Sequence, residues 1–347
     1  SDYYKHQLHS LVHRYDHVDD LAREIFEDLR QRITYRENLI SDERVIVFSP
    51  HPDDDVISMG GMLDKLVSNG NDISVAYMTN GSVAVFDADV RRYLRFLDLS
   101  GEALGLTPDQ LDDFHARRKE IESFLAEKEP GAVDLPEVQT LKAHIRYGEA
   151  IAGIEVMGLD ESDAEFLDMP FYKTGRVRKD PISDADVDVV YDLLTDVEPT
   201  HIFVAGDLSD PHGTHRMCYK AIKEALEKYN QEAVGPSGDG VPEENNRPDS
   251  SRPEPLVWLY RGAWQEWPIH EADVFVPLSK ADLDRKVEAI FKHESQKDRA
   301  MFPGAYDERE FWERARDRNR GTADMLNGLG LPEFYAAEAF VRTYDMP

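Results

Sequence analysis

The chain has 347 residues, large for one compact domain and small for two; 41% are hydrophobic and 10% aromatic, enough for a substantial core and against global disorder. Its 69 acidic and 40 basic residues give a formal charge of −29, a surface that repels phosphate backbones and anionic lipid, so neither nucleic acid nor membrane insertion is expected. The single cysteine, Cys218, rules out an intrachain disulfide and a cysteine-based zinc knuckle, and favours a reducing, cytoplasmic setting.

The polar opening from Ser1 to His6 lacks a signal-peptide apolar region, and no run approaches the ~20 apolar residues of a membrane span. The sequence does not begin with Met, so an upstream export signal or a longer fusion stays open. Residues 1–43 read as a helical extension, with Leu21, Ile25, Leu29 and Ile33 forming a stripe at fourfold spacing. His6, His9, His13 and His17 lie there too, and read as incidental histidines of an exposed helix.

A main body over 44–347 opens with Arg44-Val45-Ile46-Val47-Phe48-Ser49, the β-branched run of a strand covered on both faces. Residues 56–67 have helical periodicity, Asn69-Gly70 stops them, and 73–79 read as the next strand. Strand, helix and strand in this order make a βαβ unit, hence a parallel sheet with a right-handed crossover. Residues 86–150 are helical and charged. Another step follows: helix at 184–197, strand at His201-Ile202-Phe203-Val204-Ala205, helix at 214–229. Residues 231–254, rich in Gly, Pro, Ser, Glu and Asn, read as a flexible insertion. Late strands are expected at 255–260 and 272–276, then a helix near 279–297 and a charged helical tail. The fold class implied is α/β, a Rossmann-like three-layer sandwich with a mostly parallel sheet.

Two segments carry chemistry. Ser49-Pro50-His51-Pro52-Asp53-Asp54-Asp55 lies between the first strand and its helix, where open α/β sheets bind ligands. His51 and Asp54 can reach one metal from this turn, leaving Asp53 to face attacking water. The competing explanation is that the acidic residues only cap the helix and complement its dipole. The second segment, Asp210-Pro211-His212-Gly213-Thr214-His215, also runs from a strand end into a helix. A lone His-x-x-His means little; two motifs at equivalent topological positions offer two histidines and an aspartate, the ligand count of a catalytic zinc with an open position. Cys218, one turn beyond His215, reads as a small buried hydrophobe, and Gly60-Gly61 lacks the spacing of a dinucleotide loop. Trp258, Trp264 and Trp267 suit a sugar subsite or core packing equally.

Pro50-His51-Pro52-Asp53-Asp54 with His212-Gly213-Thr214-His215 resembles the PIG-L/LmbE-like family of zinc-dependent N-acetylglucosaminyl de-N-acetylases. Arg146-Tyr147-Gly148-Glu149 and His293-Glu294-Ser295-Gln296 match its Arg-x-x-Glu and His-x-Ser-Gln stretches. The resemblance implies Zn2+ on His51, Asp54 and His215, with another divalent metal an alternative. It implies Asp53 as general base, His212 as the group steadying the oxyanion, and Arg146 as a substrate contact. The expected substrate is a small N-acetylated amino sugar or its conjugate, with homo-oligomerisation left open. Asp55, Thr214 and the segment after Pro170 depart from the family's usual pattern. Three rival readings remain: cleavage of another amide, service to an amino-sugar phosphate pathway through a fused partner, and an idle zinc-bearing sugar-binding module. Asp53 and His212 argue against the last, since metal binding alone needs neither.

Overall fold

The first strand of the sheet, β1 (Arg44–Ser49), serves two cores at once. Val45 and Val47 enter one apolar cluster while Ile46 and Phe48 enter another on the opposite face, the period-two alternation of a pleated strand. All four are fully buried, which accounts for the unbroken apolar run. The structure is a computed structural model; it describes residues 10, 14, 18–129, 131–173, 175, 179–208, 213–234, 254–262, 265–297 and 309–346.

In chain order the elements are α1 (Val18–Gln31), β1, α2 (Asp54–Ser68), β2 (Asp72–Tyr77), α3 (Asp87–Ser100), α4 (Pro108–Glu127), α5 (Pro136–Met157), β3 (Ala164–Phe166), α6 (Asp184–Val197), β4 (His201–Ala205), α7 (Thr214–Val234), β5 (Leu256–Tyr260), β6 (Val274–Leu278), α8 (Lys280–Ile290), α9 (Phe311–Gly328) and β7 (Ala336–Thr343). Among the described residues seven strands form one sheet in the order β3-β2-β1-β4-β5-β7-β6. β3 through β5 are mutually parallel, and β7 alone runs against its neighbours. Residues of α2, α5 and α8 cover one face and residues of α6 and α7 the other, giving the expected three layers.

From β1 the chain first moves to β2 on one side and later returns to β4 on the other, pairing Val47 with Val75 and with Phe203. That reversal opens a crevice beyond the carboxyl ends of β1 and β4, the topological switch point where such sheets bind ligands. Both chemistry-bearing segments leave from these two strands.

Three expectations need correction. The charged helical tail contains a strand: β7 is buried between β5 and β6, although Ala336-Ala337-Glu338-Ala339 has a helix-forming composition. Pairing on both edges and burial on both faces override that propensity. Ile25 is 51% exposed, while Leu21 and Leu29 are buried and Phe26 joins Leu29 against α9 and β7. A strict fourfold stripe drifts around a helix of 3.6 residues per turn, so Phe26 replaces Ile25. The 231–254 loop begins late, because α7 runs to Val234; residues 235–253 lie outside the described residues. The extension docks on the sheet edge, where Thr34 N donates to Phe275 O and Phe275 N to Arg32 O, both at 2.8 Å. Among the described residues no helix is long and apolar enough to cross a membrane.

Candidate metal centre and active site

Beyond β1 the chain turns sharply and the turn is pinned from several sides. Ser49 Oγ donates to the His51 carbonyl at 2.6 Å and accepts from Asp55 N at 3.1 Å. Tyr77 OH donates to Asp55 Oδ2 at 3.2 Å, and Thr79 Oγ1 donates to Pro50 O at 2.7 Å. Asp55 is thus a fully buried anchor rather than a ligand. Burial, reinforced by Asp53 nearby, pushes its carboxyl up to about 7.

Asp53 is the N-cap residue of α2, yet its side chain makes no capping bond. Capping therefore does not explain it. Asp54 Oδ2 accepts from His51 N at 3.0 Å, lies 3.0 Å from His51 Nδ1 and 3.3 Å from His215 Nε2. Donor atoms of His51, Asp54 and His215 all fall within 4.8 Å of one another. Burial alone would raise the Asp54 carboxyl, but the His215 and His51 imidazoles outweigh it and hold the group well below the usual carboxylate range. The carboxylate stays ionised, as a metal ligand must. Two imidazoles and a carboxylate, with Asp54 Oδ2 3.0 and 3.3 Å from the two histidine nitrogens, make a donor set that could hold a metal ion.

The PIG-L model, described as GlcNAc-PI de-N-acetylase, matches residues 46–226, a little over half of the chain. The chain belongs to the PIG-L family. Among curated proteins, a putative glucosamine-6-phosphate deaminase-like protein of Bacteroides thetaiotaomicron is 39% identical over 98% of this chain and 51% of its own length. Diacetylchitobiose deacetylase of Thermococcus kodakarensis is 31% identical over 33% of this chain and 49% of its own length. The chain thus spans about half the length of the curated relatives it matches. Among solved structures, N,N'-diacetylchitobiose deacetylase from Pyrococcus horikoshii aligns with a TM-score of 0.49 and 18% identity over 94% of this chain and 91% of that one.

The PIG-L match runs from β1 into α7 and includes the three donors, Asp53 and Arg146. Arg146, on α5, is 1% exposed, and its Nη2 lies 3.0 Å from Asp53 Oδ2 and donates to Pro52 O at 3.2 Å. Its Nη1 reaches Ser295 Oγ at 3.4 Å, and Ser295 N and Oγ both donate to Glu149 at 2.6 Å. The Arg-x-x-Glu and His-x-Ser-Gln stretches therefore meet, and together they hold Asp53. Sequence reading identified both stretches but not this joint task. His212 lies outside the described residues, as do Trp264 and the histidines at 6, 9, 13 and 17.

Next to Asp53 opens a cleft lined also by Ile57, His293, Gln296, Lys297 and Trp312. His293 is 2% exposed, and neither ring nitrogen has a hydrogen-bond partner among the described residues. Burial pulls its imidazole down to about 4 despite Asp53, so the ring is neutral at pH 7. Cys218 is buried in the core and Trp258 stacks on Phe203, so both take the packing role.

Proposed function

We propose that the protein hydrolyses the acetamide of an N-acetylglucosamine-type sugar or conjugate, releasing acetate and the free amine, with zinc held by His51, Asp54 and His215. The observation that carries this reading is the pairing of a mixed nitrogen and oxygen donor set with a carboxylate, Asp53, that neither caps its helix nor belongs to that set. A structural metal site needs no such neighbour. Zinc held by His51, Asp54 and His215 would supply Lewis-acid chemistry and lower the pKa of water to about 7.

Asp53 takes the proton from the attacking water as the new C–O bond forms, then returns it to nitrogen as the C–N bond breaks. Arg146 acts through Asp53: its two contacts to Asp53 and Pro52 fix the carboxylate, and Arg146 is not among the residues that line the cleft. The expected substrate contact of Arg146 is thereby recast as a positioning role. His293, neutral and unpartnered at the cleft, offers the acyl sugar one donor and one acceptor. His212 keeps its proposed task of steadying the oxyanion.

One observation favours a second substrate. The Bacteroides relative carries glucosamine 6-phosphate in its name, and that amine is what de-N-acetylation of N-acetylglucosamine 6-phosphate yields. Lys297 supplies a cation at the cleft. Acetate release by the zinc-loaded chain, measured on N-acetylglucosamine, its 6-phosphate and N,N'-diacetylchitobiose, separates the readings. Release from any one supports the hydrolase, and preference for the phosphate supports the second substrate. No release from all three, with zinc confirmed by elemental analysis, rejects both in favour of a binding module.

A further inference from the structure

Helix α2 is not continuous. Met59 has non-helical angles, φ −136° and ψ 24°, five residues after Asp54. An uninterrupted helix joins Ile57 O to Gly61 N and Ser58 O to Met62 N. All four groups instead have partners from the last hundred residues of the chain. Arg318 Nη2 donates to Ile57 O at 2.9 Å and Ser58 O at 3.1 Å. Gly61 N donates to Glu338 Oε1 at 3.0 Å, and Met62 N to Glu338 Oε2 at 2.7 Å. A cation thus serves the carbonyl side of the break and a carboxylate the amide side.

These two groups belong to one buried network. Lys286 Nζ donates to Glu338 Oε1 at 2.5 Å and to Asn319 Oδ1 at 2.9 Å. Asn319 Nδ2 reaches Glu266 Oε2 at 3.3 Å, and Glu266 Oε2 lies 3.4 Å from Arg318 Nε. Lys286, Asn319 and Glu338 are fully buried. Gly60 and Gly61 make the approach feasible: a side chain at 60 would meet Lys286 Cγ at 3.0 Å, and one at 61 would strike Leu278 at 2.5 Å. The paired glycines are a docking surface for α8 and β6.

Arg318 also joins the two arms of the metal centre. Its Nη1 donates to Gly262 O at 2.5 Å. Gly262 lies against His215, where an added Cβ would be 3.6 Å from Cε1 and equally far from Asp207 Oδ2. One guanidinium therefore holds the helix that presents Asp54 and the backbone against which His215 rests. Burying ion pairs is a poor route to stability, because the desolvation penalty can exceed the attraction. Their use here is geometric, since they satisfy backbone groups that the break leaves to outside partners.

We propose that Arg318 and Glu338, the latter held by Lys286, are positioning residues for the metal centre: by fixing the break in α2 and tying it to Gly262, they set the separation of Asp54 from His215. This rests on the zinc reading above. Its test compares the unsubstituted chain with Arg318→Lys, Glu338→Gln and a packing control, Leu194→Ala, on α6 in the core of the opposite sheet face. Zinc affinity is measured by chelator competition, the Co2+-substituted proteins are compared by visible spectroscopy, and amide exchange is followed over 54–62 without metal. Arg318→Lys and Glu338→Gln are expected to weaken zinc by about 10–100-fold, the range for groups behind metal ligands, and to alter the cobalt spectrum. Leu194→Ala is expected to lower the melting temperature and leave both readouts unchanged. Wild-type zinc affinity in both brace variants overturns the proposal while leaving the hydrolase intact. If the wild type takes up no metal, the zinc reading fails on its own. Exchange over 54–62 then decides the brace: faster than in β4 supports it, and unchanged rejects it.

Discussion

From β3 to β5 the sheet is parallel, its strand ends carry the His51–Asp54 and His215 motifs, and its core is apolar on both faces. From β5 to β6 it contains an antiparallel strand with a buried glutamate, contributes none of the three donors, and lies past the residues matched by the family. The first region places reactive side chains at a topological switch point; the second fills its interior with ions that hold backbone. The side chains of a site can therefore come from short motifs while the rigidity they need is imported from elsewhere in the chain.

The sharpest way to break this contrast is to remove chemistry without touching the brace. Asp53→Ala is expected to lower kcat by at least the 10²–10⁴-fold that a positioned base typically contributes (about 3–5 kcal/mol), while elemental analysis still finds zinc. Retained turnover would move the base elsewhere. The converse experiment removes brace charge alone. Lys286→Met strands the Glu338 carboxylate in the interior and is expected to lower unfolding free energy by about 3–5 kcal/mol in denaturant titrations. A smaller effect, specific to pH, is expected at Glu266. Burial, only partly opposed by Arg318, pushes this carboxyl up to about 7 from its ordinary 4.5. The folded state then holds a proton the unfolded chain has lost, so the stabilisation is complete below 4.5 and disappears as pH rises through 7. Between these values the stability of Glu266→Gln should fall less than that of the wild type, by on the order of 3 kcal/mol. The docked extension gives a graded pair by thermal melts: Leu29→Ala should cost about 2–5 kcal/mol, and Ile25→Ala, the smallest effect, no more than about 0.5 kcal/mol.

The parallel half was the legible half. Alternating Val45, Ile46, Val47 and Phe48 announced a two-faced strand, and each motif stood where a strand meets a helix. The donor trio was readable because its members lie at strand ends fixed by topology. The brace was not. Glu338 sits among alanines that favour helix, and only its long-range pairing makes the segment a strand. Arg318 and Asn319 resemble any charged helix surface until α9 packs against α2 and β7. One signal was present: the lone acid in Ala336-Ala337-Glu338-Ala339-Phe340 is an isolated charge in an apolar run, a pattern that asks for a buried partner. Asp53 and Arg146 fall between these cases. Their motifs were visible, but their ion pair crosses from a β1 turn to α5 and depends on tertiary packing.

The Glu338 carboxylate serves amides 277 residues upstream in the chain. At synthesis rates of about 5–20 residues per second, roughly 15–55 s elapse between the appearance of that helix and the arrival of its acceptor. During this interval the helix that carries Asp54 lacks the carboxylate that completes its break. Biosynthesis thus carries a built-in delay: the break in α2 is completed only once β7, the last strand in chain order, is in place.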